Sequence, residues 1–76
     1  MLLSDYRRLV VEALCKAARP LTLREVVEAV RLPARERLNM FLLRRALAEL
    51  VREGVIVRRP DHERRVMVFE ASRNTC

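Results

Sequence analysis

The sequence predicts a mainly α domain with a small β-hairpin, of the α+β class, built as three helices followed by two strands. Three observations lead there. Apolar residues recur at helical spacing through most of the chain, two β-branched runs lie near its end, and 76 residues hold one small core only. The composition, 51% apolar and 34% charged, fits a folded domain and argues against a disordered segment. Residues 1–70 are expected to form a single domain, and residues 71–76, which lack any pattern, to fray.

The first helix is expected from Asp5 to Ala18. Tyr6, Leu9, Val10, Ala13, Leu14 and Ala17 fall on one face, with Arg7, Arg8, Glu12 and Lys16 on the other. Ser4 or Asp5 supplies its cap, and Arg19-Pro20 ends it, because proline disfavours helical backbone in the residue before it. The second helix opens on Thr22-Leu23-Arg24-Glu25, the pattern of a reciprocal capping box, and carries Leu23, Val26, Val27 and Val30 as an apolar stripe. It stops near Arg31-Leu32-Pro33. The third helix ends at Glu53 and begins either at Pro33, in a first turn, or after Asn39 as a cap. Leu43, Ala46, Leu47, Leu50 and Val51 form its inward face, and Gly54 stops it. Val55-Ile56-Val57-Arg58-Arg59 and Arg65-Val66-Met67-Val68-Phe69 then read as a hairpin, with Pro60 opening a type I turn.

Several function classes recede on composition. His62 is the only histidine, and Cys15 and Cys76 are too few for a disulfide framework or a zinc site. Cys15 sits on a helical apolar face as a small buried hydrophobe, and Cys76 is terminal. No glycine-rich phosphate loop, nucleophile elbow or paired ligand motif occurs, so no enzyme, cofactor or small-molecule ligand is expected. The N-terminus is charged too early for a secretory signal, and Met40-Phe41-Leu42-Leu43 is the longest apolar run, far short of a membrane span. A cytoplasmic protein is expected.

The charge balance points outward. Sixteen basic residues face ten acidic ones, a net charge of +6, and Lys16 is the only basic residue that is not Arg. Arg enrichment also follows from a GC-rich genome or heat adaptation, so the net sign carries more meaning. It predicts attraction to polyanions, nucleic acid first and an acidic membrane surface second.

The run from Leu42 through Arg59 holds Leu47, Leu50, Gly54, Val55, Ile56 and Arg58 in a Leu-x-x-Leu, Gly, two-apolar, Arg pattern. That pattern resembles the end of the recognition helix and the first wing strand of winged helix-turn-helix transcription regulators of the prokaryotic and archaeal type. Pro20-Leu21-Thr22-Leu23-Arg24-Glu25-Val26-Val27 resembles the second helix of the same family. The resemblance spans Asp5 to Phe69. It departs in the connection from Arg31 to Arg37, which is longer than the family's tight turn and lacks glycine.

The resemblance implies double-stranded DNA as partner, with the third helix in the major groove and the two-stranded wing on the phosphate backbone. On the helix and the segment before it the candidates are Arg35, Arg37, Asn39, Met40, Arg44 and Arg45; Arg52 is accounted for by the helix dipole. On the wing they are Arg58, Arg59, Arg64 and Arg65. A turn centred on Asp61-His62 would set Arg58 opposite Arg65 and Arg59 opposite Arg64, a like-charge ladder that needs an external anion. A turn one residue earlier would pair Arg58 with Glu63. A surplus of apolar residues, Leu2, Leu3, Val11 and Cys15 with Met40, Phe41 and Leu42, predicts a homodimer through the first helix and N-terminus. The expected role is a small nucleoid-associated transcription regulator. The alternative is a winged-helix interaction module in a replication, transcription or chromosome complex.

Overall fold

The computed structural model describes residues 1–76. It has three α-helices and one three-stranded antiparallel sheet. Helix α1 spans Leu3–Ala17 and buries Tyr6, Leu9, Val10, Ala13 and Leu14. It starts two residues earlier than expected, with Leu2 rather than Ser4 or Asp5 at the cap position. Asp5 instead acts from inside the first turn, where its Oδ2 accepts the Leu2 N–H at 2.7 Å. A negative charge there also suits the positive end of the helix dipole. The helix ends at Ala18, whose φ of 54° puts it in the left-handed region.

A short strand missed in the sequence follows. Strand β1, Leu21–Thr22, pairs antiparallel with the last strand, so the sheet has three strands where a two-stranded hairpin was expected. Two residues are too few to display an alternating pattern. Helix α2, Leu23–Ala29, begins on Thr22 as read. The Glu25 N–H donates to Thr22 Oγ1 at 3.1 Å, and the Thr22 N–H donates to Glu25 Oε1 at 2.9 Å.

Residues 30–39 connect α2 to helix α3, Met40–Arg52. The later of the two expected starts is adopted: Asn39 is the cap, and its Oδ1 accepts the Leu42 N–H at 3.1 Å. The core fixes that start. Tyr6 is only 1% exposed, and its hydroxyl oxygen accepts the Asn39 N–H at 2.8 Å. At the other end the N–H groups of Gly54 and Val55 donate to the carbonyls of Val51 and Leu50. This double closure needs a left-handed residue, which Gly54 supplies at φ 78°.

Strand β2, Ile56–Asp61, and strand β3, Val66–Ala71, form the hairpin, and β3 is central in the order β1-β3-β2. Pro60 does not open the turn. It lies in β2 opposite Met67, and tolerates that place because β2 is an edge strand. The turn comes later, at residues 62–65, where Asp61 Oδ1 accepts the N–H groups of Glu63 and Arg64. Both expected registers therefore fail: Arg58 lies opposite Phe69, and Arg59 opposite Val68.

The core joins Tyr6, Val10 and Leu14 of α1 to Val26 of α2, to Leu43, Ala46, Leu47 and Leu50 of α3, and to Leu21, Ile56 and Phe69 of the sheet. The C-terminal residues do not fray. Ser72 donates from its N–H to the Val55 carbonyl and from Oγ to the Gly54 carbonyl, and Thr75 Oγ1 donates to Val55 as well. Cys76 then forms a disulfide with Cys15, with Cα atoms 5.6 Å apart, so Cys15 is a half-buried covalent link rather than the small buried hydrophobe expected. No helix is long and apolar enough to cross a membrane.

Two stability measurements follow. Reducing the disulfide, whose ends are 61 positions apart in sequence, is expected to lower the unfolding free energy by about 4 kcal/mol in urea titrations. Tyr6→Phe keeps the ring but removes the acceptor for the Asn39 N–H, and is expected to cost about 1–2 kcal/mol. A Tyr6→Phe protein as stable as the parent would show that the bond does not define the start of α3.

Candidate nucleic-acid interface

Cross-strand partners project to the same side of a sheet, so Arg58 shares the core-facing side with Phe69. At that edge of the core, between α3 and the hairpin, the surface opens into a cleft. Leu23, Leu47, Ala48, Val51 and Phe69 line it together with Arg44 from α3 and Arg58 from β2. The depression continues past Phe69 along the start of α2, where Thr22, Arg24, Arg64, Val66 and Met67 line it beside Arg58. Arginines from α2, α3, β2 and the hairpin turn thus border one apolar-floored trough.

These arginines differ in what holds them. Arg64 Nη1 donates to Glu25 Oε1 at 3.3 Å. Arg24, Arg44 and Arg58 have no carboxylate within ion-pair distance. A guanidinium without a protein partner presents its donor fork to whatever anion enters the trough.

The other candidates lie elsewhere. Arg45 pairs with Glu49 one turn along α3 at 3.5 Å. Arg59 lies on the opposite side of the sheet from Arg58, where its Nε donates to Glu70 Oε1 at 2.7 Å. Arg35 and Arg37 sit exposed in the 30–39 connection, outside the helix, and Arg35 has a left-handed backbone. Arg65 is exposed in the hairpin turn. Asn39 has its side-chain oxygen engaged in capping. Met40 and Phe41 open α3 and are 37% and 69% exposed. Of the residues expected at a dimer contact, Leu2 is 72% exposed, Leu3 and Val11 pack against the chain's own core, and Cys15 is bonded to Cys76.

Several carboxylates are engaged by other arginines. Arg7 donates to Glu49 at 3.0 Å and to both oxygens of Glu53 at 2.6 and 2.8 Å, tying α1 to the end of α3. These bonds raise the Arg7 pKa, and the bond from Arg7 lowers that of Glu53. The bond to Glu70 likewise raises the pKa of Arg59. Glu25 is held at about 2 by the Thr22 N–H first and by Arg64 second. No group of three or more His, Cys, Asp or Glu side chains is placed to hold a metal ion.

Arg24 escaped the sequence reading, which assigned it only to the capping box. It reaches the site because β1 sets the start of α2 against β3. The one local signal was Leu21-Thr22, an apolar and β-branched pair ahead of the cap. No known protein family matches the chain, and neither a curated protein nor a solved structure does.

The depressed Glu25 carboxyl has a measurable consequence. Between about 2 and the ordinary 4.5 the folded protein binds fewer protons at this group than the unfolded chain does. Its stabilising contribution is complete above that window and disappears as pH falls through it. Urea midpoints are therefore expected to drop over this acid range, and Glu25→Gln is expected to be less stable at neutral pH with a shallower acid decline. An unchanged acid decline in Glu25→Gln would assign the pH dependence to other carboxylates.

Proposed function

We propose that this chain binds double-stranded DNA as a small transcriptional regulator of the winged-helix kind. The observation that carries the proposal is the position of Arg44 and Arg58. They come from α3 and from the hairpin, border the same cleft, and have no carboxylate partner. The order of helices and hairpin, and a net charge of +6, support the same reading.

In this mechanism α3 enters the major groove, and Arg44 meets a base edge or the adjoining backbone. The hairpin lies along the flanking strand, with Arg58, Arg24 and the exposed Arg65 against phosphates. Those contacts orient the domain, while sequence preference comes from α3. Arg45, Arg59 and Arg64 already have carboxylate partners, so they contribute less than their charge suggests. The long 30–39 connection sets α3 apart from α2 and carries Arg35 and Arg37 as further backbone contacts. Two copies would place two α3 helices on two half-sites, and of the residues expected at a contact through α1 and the N-terminus Leu2 is the exposed apolar one. A nucleoid-associated, cytoplasmic protein follows from this reading.

Titration of duplex DNA over a range of salt concentrations tests it. The phosphate contacts of Arg24, Arg58 and Arg65 alone imply a log–log salt slope of about −2.7. Replacing both Arg24 and Arg58 by Ala is expected to weaken binding to all duplexes and to flatten that slope by about 2. Arg44→Ala is expected to relax sequence preference more than it changes the slope. A folded wild-type protein that ignores duplex DNA, or an unchanged slope in the double variant, would overturn the proposal; the former would favour an interaction module.

A further inference from the structure

The most exposed aromatic group of the molecule is Phe41, in the first turn of α3 and 69% accessible. Covering it would recover the stabilisation that burial of a ring provides. Its neighbours identify the chemistry. At ~100° per residue, Phe41 projects between Arg44 on one flank and Arg45 on the other, with Ala48 two turns along the same arc. Arg44 has no carboxylate partner, and the only acid within α3, Glu49, is held by Arg7 and Arg45. A second copy of this face would set arginine against arginine. The surface that fits is anionic at its edges and apolar at its centre.

We infer that Phe41, with Met40 beside it, packs against thymine C5-methyl groups in the major groove, making this apolar step the thymine-selective part of the interface. The inference rests on the DNA-binding reading above and deepens it. The thymine methyl is the apolar feature of the major-groove edge, and the N-terminal residues of a helix lying in that groove reach the base edges. Arg44 then borders the ring on one side, and Arg45, held by Glu49, on the other. Specificity so built depends on a methyl group rather than on a hydrogen bond, and leaves Asn39 free to remain the helix cap.

The experiment uses the whole chain and a duplex enriched from a random library by the wild-type protein. That duplex is then remade with deoxyuridine in place of thymidine, which deletes the methyl groups and leaves every hydrogen-bonding edge intact. Wild-type affinity is expected to fall about fourfold for each methyl contacted, equivalent to ~0.8 kcal/mol per buried methyl. Phe41→Ala is expected to bind the thymidine duplex more weakly and to lose most of the deoxyuridine penalty, with Phe41→Leu between the two. Because the side chain is exposed, unchanged thermal melts should accompany both variants. Equal wild-type affinity for the two duplexes, or a full deoxyuridine penalty in Phe41→Ala, overturns the assignment while leaving DNA binding intact. Failure of the wild-type protein to bind any duplex would overturn the underlying reading itself.

Discussion

A single hydrogen bond between a phenol and a peptide N–H determines where the exposed face of the protein begins. Tyr6 is buried on α1, and its hydroxyl oxygen receives the backbone N–H of Asn39. Thirty-three positions separate the two residues. Asn39 is the residue at which the irregular 30–39 segment becomes α3. From there Leu43 and Leu47 fall on the buried face of the helix, and the same ~100° step fixes which side chains face out. Arg44, Phe41 and Ala48 point outward because Leu43, Ala46, Leu47 and Leu50 hold the opposite face in the core.

The arginines divide by location rather than by number. Where α1 meets the end of α3, Arg7 is enclosed by Glu49 and Glu53 and acts as a structural tie between two helices. On the outer side of the sheet Arg59 is matched by Glu70, and beside α2 Glu25 receives both Arg19 and Arg64. Glu25, Glu49, Glu53 and Glu70 are thus taken up by arginines that tie elements of the fold together. Along the trough between α3 and the hairpin, Arg24, Arg44 and Arg58 stand without carboxylate partners beside Leu23, Leu47 and Phe69.

Much of this was legible in the order of residues, and the failures have physical causes. The helices were readable because apolar spacing, the Thr22–Glu25 pair and Gly54 each act over a few residues. The start of α3 was not, since Pro33 and Asn39 are both good local starts and a buried tyrosine far away decides between them. The hairpin register was misjudged because Pro60 has strong local turn chemistry, yet an edge strand admits it and Asp61 builds the turn instead. β1 exists only through its pairing with β3, a long-range contact with no periodic trace. The carboxylate partners of Arg59 and Arg64 depended on that same register and on the third strand, so the division between engaged and free arginines could not be read beforehand.

The disulfide from Cys15 to Cys76 makes most of the polypeptide a covalent ring, from the last turns of α1 to the terminal residue. Residues 1–14 lie outside it, and they contain all five buried residues of α1. A proteolytic nick in the exposed stretch between α2 and α3 would open the ring into a linear molecule but release no fragment. The cut halves would stay tethered, and each would still find its partner surface at the high local concentration the tether maintains.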